Sequence, residues 1–287
     1  MASPAVCFIG VGALDRAEAL SAVGPNAPVT DLGGAALVNM PVGEAVKDAM
    51  AAARADGLDA AYLPHGARPV RLLLADMDST VIGQECLDEL ADKAGHGEAV
   101  KAITEQAMRG ELNFEEALRD RVATLKDLPA SVVDEVLAER ITLDPGVQIL
   151  TATLRRLGAK TVLVSGGFTV FTGPIAARAG FDAHFSNRLE IEDDRFTGEV
   201  LPPILGREAK KERLMAELSA LGLSTADALC VGDGANDLAM VTAVPHGVAY
   251  HAKPVVAEAA PVRIDHHDLS ALLYLQGIAR SDWADPR

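Results

Sequence analysis

The chain contains no long apolar run, and no basic segment precedes the short apolar run near its start. A membrane-spanning helix requires about 18 uninterrupted apolar residues, and a secretory signal begins with basic residues. We therefore expect neither a transmembrane segment nor a signal peptide, and we expect a cytoplasmic location.

Basic residues are also scarce. The chain has 26 Lys and Arg residues against 41 Asp and Glu residues, which gives a net charge of −15. Such a charge repels nucleic acids and anionic membrane surfaces, so we expect neither as a partner. It repels a small anionic substrate as well, and a pocket for such a substrate would have to supply positive charge of its own.

Cysteine is rare too, with only Cys7, Cys86 and Cys230. At least one thiol is unpaired, and two of the three lie in apolar, strand-like runs, which is typical of buried thiols in a reducing compartment. Cys86 follows Glu85 and could be interpreted as a nucleophile, but no histidine lies near it in sequence and core packing is the better interpretation. The seven histidines show no metal-ligand spacing, and we expect them at the surface.

The length of the chain and the order of its predicted elements indicate two domains. Its apolar content of 49% is ample for a core, and 287 residues is a typical length for two domains. Residues 1–68 show a β-α-β-β-α-β order, which predicts a small ferredoxin-like domain that ends in a linker. Strands and helices alternate over 69–287, which predicts an α/β fold with a doubly wound parallel sheet. The largely helical residues 81–140 would form a cap over a site at the strand ends.

Two carboxylates, Asp76 and Asp78, follow an apolar run at 70–75 that we interpret as a buried parallel strand. In an open α/β sheet, ligands bind beyond the carboxyl ends of the strands. Two acids so close together repel each other, so a cation partner is expected, and Mg²⁺ is the usual one. A plain polar turn after a strand is the alternative that these residues leave open.

Other polar segments follow other apolar runs in the same manner. Ser165 and Gly166 follow one run, the acidic segment 232–237 follows another, and Lys210 stands between them at the start of a helical pattern. A hydroxyl, glycines, a cation and carboxylates in this order indicate a site for phosphate and metal. On the residues alone, Lys210 could belong to a charged helix face, and the segment 232–237 could cap the next helix.

The order of these motifs resembles the haloacid dehalogenase superfamily. The resemblance covers roughly residues 70–275. It rests on four motifs, namely Asp-x-Asp-x-Thr at 76–80, a strand ending in Ser165, the single Lys210, and Gly-Asp-x-x-x-Asp at 232–237. Glu85, the Ser-Gly-Gly-Phe segment at 165–168 and the sequence Gly-Asp-Gly-Ala-Asn-Asp are similar to those of members that act on O-phosphoserine.

The resemblance implies a role for each motif residue. Asp76 would be the nucleophile that forms an aspartyl-phosphate, and Asp78 would be the general acid and then the general base. Mg²⁺ would be held by Asp76, by the main-chain carbonyl of Asp78 and by Asp233, with Asp237 in support. The remaining members would bind the substrate, and these are Glu85, Arg121, Ser165, the Gly166 amide, Lys210 and Asn236.

Arg121 also has an argument from periodicity. The helix predicted at 114–125 has apolar residues at 114, 118, 122 and 125, and position 121 lies on the same stripe. An inward-facing Arg calls for an anion such as a carboxylate, although its stem could equally cross the apolar face to reach water. Glu85 resembles part of a solvated helix face, so its role as the ammonium partner comes from the resemblance alone. Met77 and Phe114 could line the pocket or pack in the core.

The resemblance therefore implies Mg²⁺-dependent hydrolysis of O-phosphoserine to serine and phosphate, the last step of serine biosynthesis. It also implies that residues 1–68 form an ACT-type domain, whose strand edges could support a homodimer. Two alternatives stay open, a phosphotransferase that passes the phosphoryl group to another hydroxyl amino acid and an amino-acid sensor without turnover. The Asp76 and Asp78 pair together with Lys210 weighs against the sensor.

Overall fold

The computed structural model describes residues 3–23, 27–108, 113–206 and 208–286. The strands in these residues are β1 (Ala5–Ile9), β2 (Val29–Asp31), β3 (Ala35–Val38), β4 (Asp59–Leu63), β5 (Leu72–Ala75), β6 (Lys160–Phe168), β7 (Ala183–Glu192), β8 (Arg195–Leu201), β9 (Ala228–Gly232), β10 (His246–Tyr250) and β11 (Val262–Ile264).

The α-helices in the same residues are α1 (Ala13–Val23), α2 (Glu44–Ala55), α3 (Cys86–Lys93), α4 (Gly97–Met108), α5 (Phe114–Ala123), α6 (Val132–Glu139), α7 (Val147–Arg156), α8 (Thr169–Ala179), α9 (Ala209–Leu221), α10 (Leu238–Val241), α11 (Pro254–Ala259) and α12 (Ala271–Tyr274). No helix in the described part of the chain combines the length and the apolar character needed to span a bilayer.

Residues 5–63 contain a four-stranded antiparallel sheet with the strand order β2-β3-β1-β4. The elements follow the β-α-β-β-α-β order that the sequence predicts. All of β1 is buried because its alternate residues serve two layers. Val6 and Phe8 pack with residues of α1 and α2, whereas Cys7 and Ile9 belong to the large apolar cluster of the rest of the chain. The division near residue 68 and the ACT-type assignment remain predictions.

The larger sheet has seven strands in the order β11-β10-β9-β5-β6-β7-β8. Its pairs are parallel except for β7 and β8, which form an antiparallel hairpin at one edge. Ala75 at the end of β5 is in register with Leu163 of β6 and Val231 of β9. The predicted α/β fold with a doubly wound parallel sheet is confirmed, and the carboxyl ends of its three central strands meet at one edge.

The continuous apolar sequence of β5 reflects burial on both faces. Leu72 and Leu74 pack in a cluster that includes Leu214 of α9, whereas Leu73 and Ala75 belong to the large cluster on the other face. With both faces covered, only the end of the strand is open to a ligand. Asp76 follows at that end.

The helices α3 to α6 lie after β5 and within residues 81–140, where the sequence predicts a helical cap, and α7 follows them before β6. The helix α5 begins with a capping box, in which Asn113 and Glu116 satisfy each other's backbone N–H groups. Its apolar face buries Leu118 and Val122, and the helix packs against β8. This packing sets the position of Arg121 relative to the strand ends.

The expectation that the histidines lie at the surface is wrong for His246. This residue of β10 is 1% exposed, and neither nitrogen of its ring has a hydrogen-bond partner among the described residues. Burial, with a smaller effect of nearby positive charge, lowers the pKa of His246 to about 4. The ring is therefore neutral in the folded protein at neutral pH, because an isolated imidazolium would be too costly to bury there.

A buried carboxylate fastens the small sheet to the larger one. Asp59 at the start of β4 is 1% exposed, and it accepts hydrogen bonds from the N–H groups of Asp265, His266 and His267 at 2.7, 3.3 and 3.2 Å. The Nδ1 atom of His267 lies 2.7 Å from the same carboxylate. Burial alone would raise the pKa of Asp59, but the hydrogen bonds and the His267 ring outweigh burial and lower it.

We expect Asp59→Asn to lower the free energy of unfolding by about 2–4 kcal/mol, because an amide cannot accept hydrogen bonds from all of these buried N–H groups. Urea denaturation at pH 7 measures the effect. Asp265→Asn is the matched control, since it removes only a partly exposed ion pair with Arg263 and should cost less than about 1 kcal/mol. Equal losses in the two variants would contradict the fastening role.

The pH dependence of the same variant follows from the lowered pKa of Asp59. A carboxylate with a lowered pKa in the folded state stabilises the protein above its unfolded pKa, which is near 4 for Asp. That stabilisation is lost as the pH falls through the folded pKa. The difference in unfolding free energy between the wild type and Asp59→Asn should therefore shrink in acid.

Candidate active site

The ends of β5, β6 and β9 form the floor of a cleft beneath the cap, with a volume of about 160 Å³. Its lining residues are Asp76, Asp78, Glu85, Leu87, Phe114, Leu118, Arg121, Gly166, Gly167, Phe168, Asp233, Gly234, Asn236 and Lys253. Ser165 and Lys210 line a small adjoining cavity, and Asp237 is buried beside Lys210. The fold thus brings every site residue expected from the sequence to one place.

Lys210 lies beneath the cleft, although it begins a helix whose neighbouring side chains are charged. Lys210 is only 3% exposed. Its Nζ atom lies 2.6 Å from Asp76 Oδ1 and 2.6 Å from Asp237 Oδ1. Burial by itself would lower the pKa of Lys210, but the two carboxylates outweigh burial and raise it. Of the two interpretations of Lys210, the charged helix face is excluded for this side chain.

Three carboxylates lie close together at this site, and two of them contact the ammonium of Lys210. Asp76, Asp233 and Asp237 each place an oxygen within 4.8 Å of the others, so negative charge is in surplus. Burial and the Asp237 charge raise the pKa of Asp76 against the opposing effect of Lys210. The same two causes raise the pKa of Asp233 to about 6. A buried group of hard oxygen donors with surplus charge fits a divalent cation.

Asp78 is held by hydrogen bonds to both of its oxygens. Its Oδ2 accepts from the hydroxyl of Ser165 at 3.0 Å, and its Oδ1 accepts from the N–H of Cys86 at 2.9 Å. Burial raises the pKa of Asp78 in spite of these bonds. A fixed carboxyl group that retains its proton more readily than an exposed aspartate is suited to proton transfer.

The end of β6 depends on glycine and on one buried amide. The Gly167 N–H donates to Ser165 Oγ at 2.8 Å, and a Cβ at position 167 would lie only 3.0 Å from that oxygen. Asn187 of β7 is 1% exposed. It donates to the carbonyl of Gly166 at 2.8 Å and accepts from the N–H of Leu205 at 2.7 Å. Asn187 therefore fixes the end of β6 that carries Ser165.

Asp237 organises the acidic loop after β9. Its Oδ2 accepts from the Gly234 N–H at 3.0 Å, while its Oδ1 contacts Lys210. A Cβ at Gly232 would lie 2.3 Å from Asp237 Cγ, so no larger residue fits there. The side chain of Asp237 makes no capping hydrogen bond to α10. The helix-cap interpretation of the segment 232–237 is therefore wrong for this carboxylate.

The cap side of the cleft carries one acid and one base. Glu85 Oε1 accepts from the hydroxyl of Ser79 at 2.8 Å. Its pKa is raised to about 7, first by partial burial of the carboxyl group and then by the negative charges of Asp78 and Asp233. Arg121 lines the cleft, and the only hydrogen bond of its side chain among the described residues is from Nε to the carbonyl of Ala117 at 3.3 Å. Burial lowers the pKa of Arg121, and nearby carboxylates oppose that effect.

The open alternatives for three other residues are also resolved. Met77 is fully buried in the large apolar cluster, whereas Phe114 is 39% exposed and lines the cleft. Cys86 is buried, and burial together with the Asp78 charge raises the pKa of its thiol. The thiol is therefore unsuited to act as a nucleophile, as the sequence indicated.

The sequence did not single out Asn187 or Lys253, although both contact the site. Asn187 lies in a strand with no motif around it, and its contacts are with the distant residues Gly166 and Leu205. Lys253 precedes α11 and donates its N–H to the carbonyl of Asp233 at 3.0 Å. The dipeptide Lys253-Pro254 was a signal for a helix start, but nothing in it indicated a site.

Comparison with known proteins places the chain among hydrolases. The family model for haloacid dehalogenase-like hydrolase matches residues 73–242. A phosphoserine phosphatase from Haemophilus influenzae is 45% identical over 204 residues, which cover 71% of this chain and 65% of that protein. A phosphoserine phosphatase from a Polaromonas species is 45% identical over 210 residues, which cover 71% of this chain and 89% of that protein.

Solved structures are similar as well. A HAD family hydrolase from Salmonella enterica serovar Typhi matches 95% of this chain and 98% of its own, with a TM-score of 0.84 and 30% identity. A phospho-aspartyl intermediate analogue of phosphoserine phosphatase matches 72% of this chain and 99% of its own, with a TM-score of 0.66 and 39% identity.

The extent of these matches decides what they show. Three of the curated relatives are longer proteins, of which the match covers 65%, 52% and 56%. The family model, in contrast, matches more than half of this chain, and the match covers 89% of the Polaromonas protein. On these grounds the chain belongs to the haloacid dehalogenase-like hydrolase family.

Proposed function

We propose that this protein is a Mg²⁺-dependent phosphatase that hydrolyses O-phosphoserine to serine and phosphate through an aspartyl-phosphate on Asp76. The observation that carries the proposal is a pair of contacts in one cleft, Asp76 with Lys210 and Asp78 with Ser165. The names of the similar phosphatases and of the phospho-aspartyl analogue structure support it. By the same analogy, the reaction would be the last step of serine biosynthesis.

Asp76 is the proposed nucleophile because one of its oxygens is held and the other is available. Oδ1 accepts from the Met77 N–H at 2.7 Å and contacts Lys210, which leaves Oδ2 to attack phosphorus. The bond from Asp76 to phosphorus forms while the bond from phosphorus to the serine oxygen breaks. Asp78 gives its proton to that oxygen, and it then takes a proton from the water that releases phosphate and restores Asp76.

The carboxylates of Asp76 and Asp233 and the main-chain carbonyl of Asp78 are the proposed ligands of Mg²⁺. Both oxygens of Asp237 already have partners, Lys210 and the Gly234 N–H, so Asp237 supports the site through these contacts. Bound Mg²⁺ would neutralise negative charge on the phosphoryl oxygens. Ser165, the Gly166 amide and Lys210 would bind the phosphoryl group, and Asn236 would contact the substrate from the acidic loop.

The amino-acid end of the substrate is proposed to lie toward the cap. Arg121 would bind the substrate carboxylate, because it lines the cleft and its side chain donates only to the carbonyl of Ala117 among the described residues. Glu85 would bind the ammonium group. A phosphotransferase would use the same residues, and phosphate release measured with and without homoserine separates hydrolysis from transfer. A sensor without turnover would release no phosphate in either assay.

We also propose a cytoplasmic location, where the three buried free thiols would stay reduced. The homodimer remains a prediction from the strand edges of the small sheet, and small-molecule substrate binding requires neither a nucleic acid nor a membrane partner. Size-exclusion chromatography with light scattering would test the dimer.

We expect Asp76→Asn to lower kcat for O-phosphoserine by about 10³-fold or more, because the amide keeps the size of the side chain but cannot attack phosphorus. Phosphate release measures the effect, and circular dichroism verifies that the fold is kept. Retention of more than a few per cent of the activity would show that another group is the nucleophile.

Asp78→Asn should discriminate between leaving groups. A serine alkoxide needs a proton, so the rate for O-phosphoserine should fall by about 10²–10⁴-fold, whereas p-nitrophenyl phosphate should lose far less. The measurement is kcat for both esters with the same preparation. Equal losses on the two esters would count against Asp78 as the general acid.

Arg121→Ala should lower kcat/KM for O-phosphoserine by a factor that corresponds to about 2–4 kcal/mol of lost transition-state stabilisation. The reason is that the substitution leaves the desolvated substrate carboxylate without its partner. Phosphoethanolamine has no carboxylate, so its low kcat/KM should hardly change. Arg119→Ala is the matched control, because Arg119 lies on the same helix and pairs with Glu115 at an exposed position. A similar loss for both substrates would indicate a structural role for Arg121.

A further inference from the structure

The charges in the cleft are unbalanced in a way that the proposed roles leave unexplained. Asp76, Asp78, Glu85 and Asp233 all line the cleft, and O-phosphoserine itself carries net negative charge at neutral pH. The ammonium of Lys210 is already committed to two carboxylates at 2.6 Å each. Besides Arg121 on the cap, the described lining contains one further cation, Lys253.

The backbone of Lys253 is fixed to the acidic loop. Its N–H donates to the carbonyl of Asp233 at 3.0 Å, and its carbonyl accepts from the N–H groups of Val256 and Ala257 in the first turn of α11. Pro254 follows at the first helical position, where its ring favours the helix start. None of these contacts involves the side chain of Lys253, so they would survive its substitution.

The side chain of Lys253, in contrast, is loosely held at the edge of the cleft. It is 63% exposed, and its Nζ atom lies 3.9 Å from Asp233 Oδ2, which is a long contact for an ion pair. An exposed pair of this kind contributes less than about 1 kcal/mol to stability. The ammonium can therefore leave Asp233 for a stronger anion at little cost.

We propose that Lys253 is a substrate-binding residue, whose ammonium attracts and binds the phosphoryl group as it enters the cleft. The proposal rests on the proposed function, because the anion is the phosphoryl group of that substrate. Lys253 is assigned to this group rather than to the substrate carboxylate because it is anchored at the acidic loop, whereas Arg121 lies on the cap. The chain carries a net charge of −15, which repels an anionic substrate as it approaches. An exposed cation at the edge of the cleft offsets this repulsion, whereas Lys210 is buried and paired with two carboxylates.

A role in entry and binding has a defined kinetic signature. We expect Lys253→Met in the full chain to lower kcat/KM for O-phosphoserine by about tenfold at low ionic strength, with kcat changed by less than about twofold. The difference from the wild type should shrink to less than about threefold in 0.5 M NaCl, because salt screens an exposed charge. Lys253→Arg should retain most of kcat/KM. Lys47→Met, an equal charge change on exposed α2, should have no effect.

A binding measurement separates this proposal from the proposed function. Inorganic phosphate, titrated into the full chain with MgCl₂ in a calorimeter, should bind about tenfold more weakly to Lys253→Met than to the wild type. This readout needs no turnover, so it stands even if O-phosphoserine is not hydrolysed. Unchanged phosphate affinity together with unchanged kcat/KM would overturn the role of Lys253.

Two other outcomes would also overturn it. If Lys253 serves only to neutralise Asp233, the variant should change the MgCl₂ concentration needed for half activity, and saturating MgCl₂ should restore kcat/KM. If only the overall charge of the chain matters, Lys47→Met should lower kcat/KM as much as Lys253→Met does. A loss confined to Lys253→Met that persists at saturating MgCl₂ would support the assignment.

Discussion

The contact of one buried ammonium with two carboxylates holds the site together. Lys210 comes from α9, Asp76 from the end of β5 and Asp237 from the loop after β9, so their contacts join three separate elements. Removing the ammonium would leave two buried carboxylates uncompensated, which is far more costly than losing a surface pair. The sheet order makes this contact possible, because β5 and β9 are neighbours. The acidic cluster that could hold a cation and the orientation of Asp76 both depend on it.

The small sheet is connected to this site through a short series of contacts. Asp59 holds the N–H groups of residues 265–267, and the carbonyl of His267 contacts the ring of His251. Two residues further on, Lys253 donates its N–H to the carbonyl of Asp233. The segment between β10 and α11 thus contacts His267, a partner of Asp59, at one end and the acidic loop at the other. A continuous series of contacts therefore runs from the small sheet to the edge of the cleft where Lys253 lies.

The sequence predicts the strand ends well, because parallel strands bring the residues that follow them to one edge. The sequence could not decide whether Lys210 belongs to the site or to a charged helix face, because its neighbours in the helix are charged. Only the tertiary packing buries this one side chain. The burial of His246 could not be predicted, because nothing in the local sequence indicates that an imidazole ring is buried without a hydrogen-bond partner among the described residues. Asn187 and Lys253 act through contacts distant in sequence, for which neither periodicity nor a motif gave any indication.

Asp76 and Asp78 lie two residues apart, yet their surroundings prepare them for different chemistry. The carboxylate of Asp76 faces an ammonium at 2.6 Å, which favours its charged form. Among the described residues, the donors to the two oxygens of Asp78 are neutral, namely the Ser165 hydroxyl and the Cys86 N–H, and burial raises the pKa of Asp78. Burial raises the pKa of both acids, and the Asp237 charge raises that of Asp76 further. The two acids therefore differ in their direct partners, which are a cation for Asp76 and neutral donors for Asp78. The proposed roles of nucleophile and acid thus correspond to which of the two side chains Lys210 contacts.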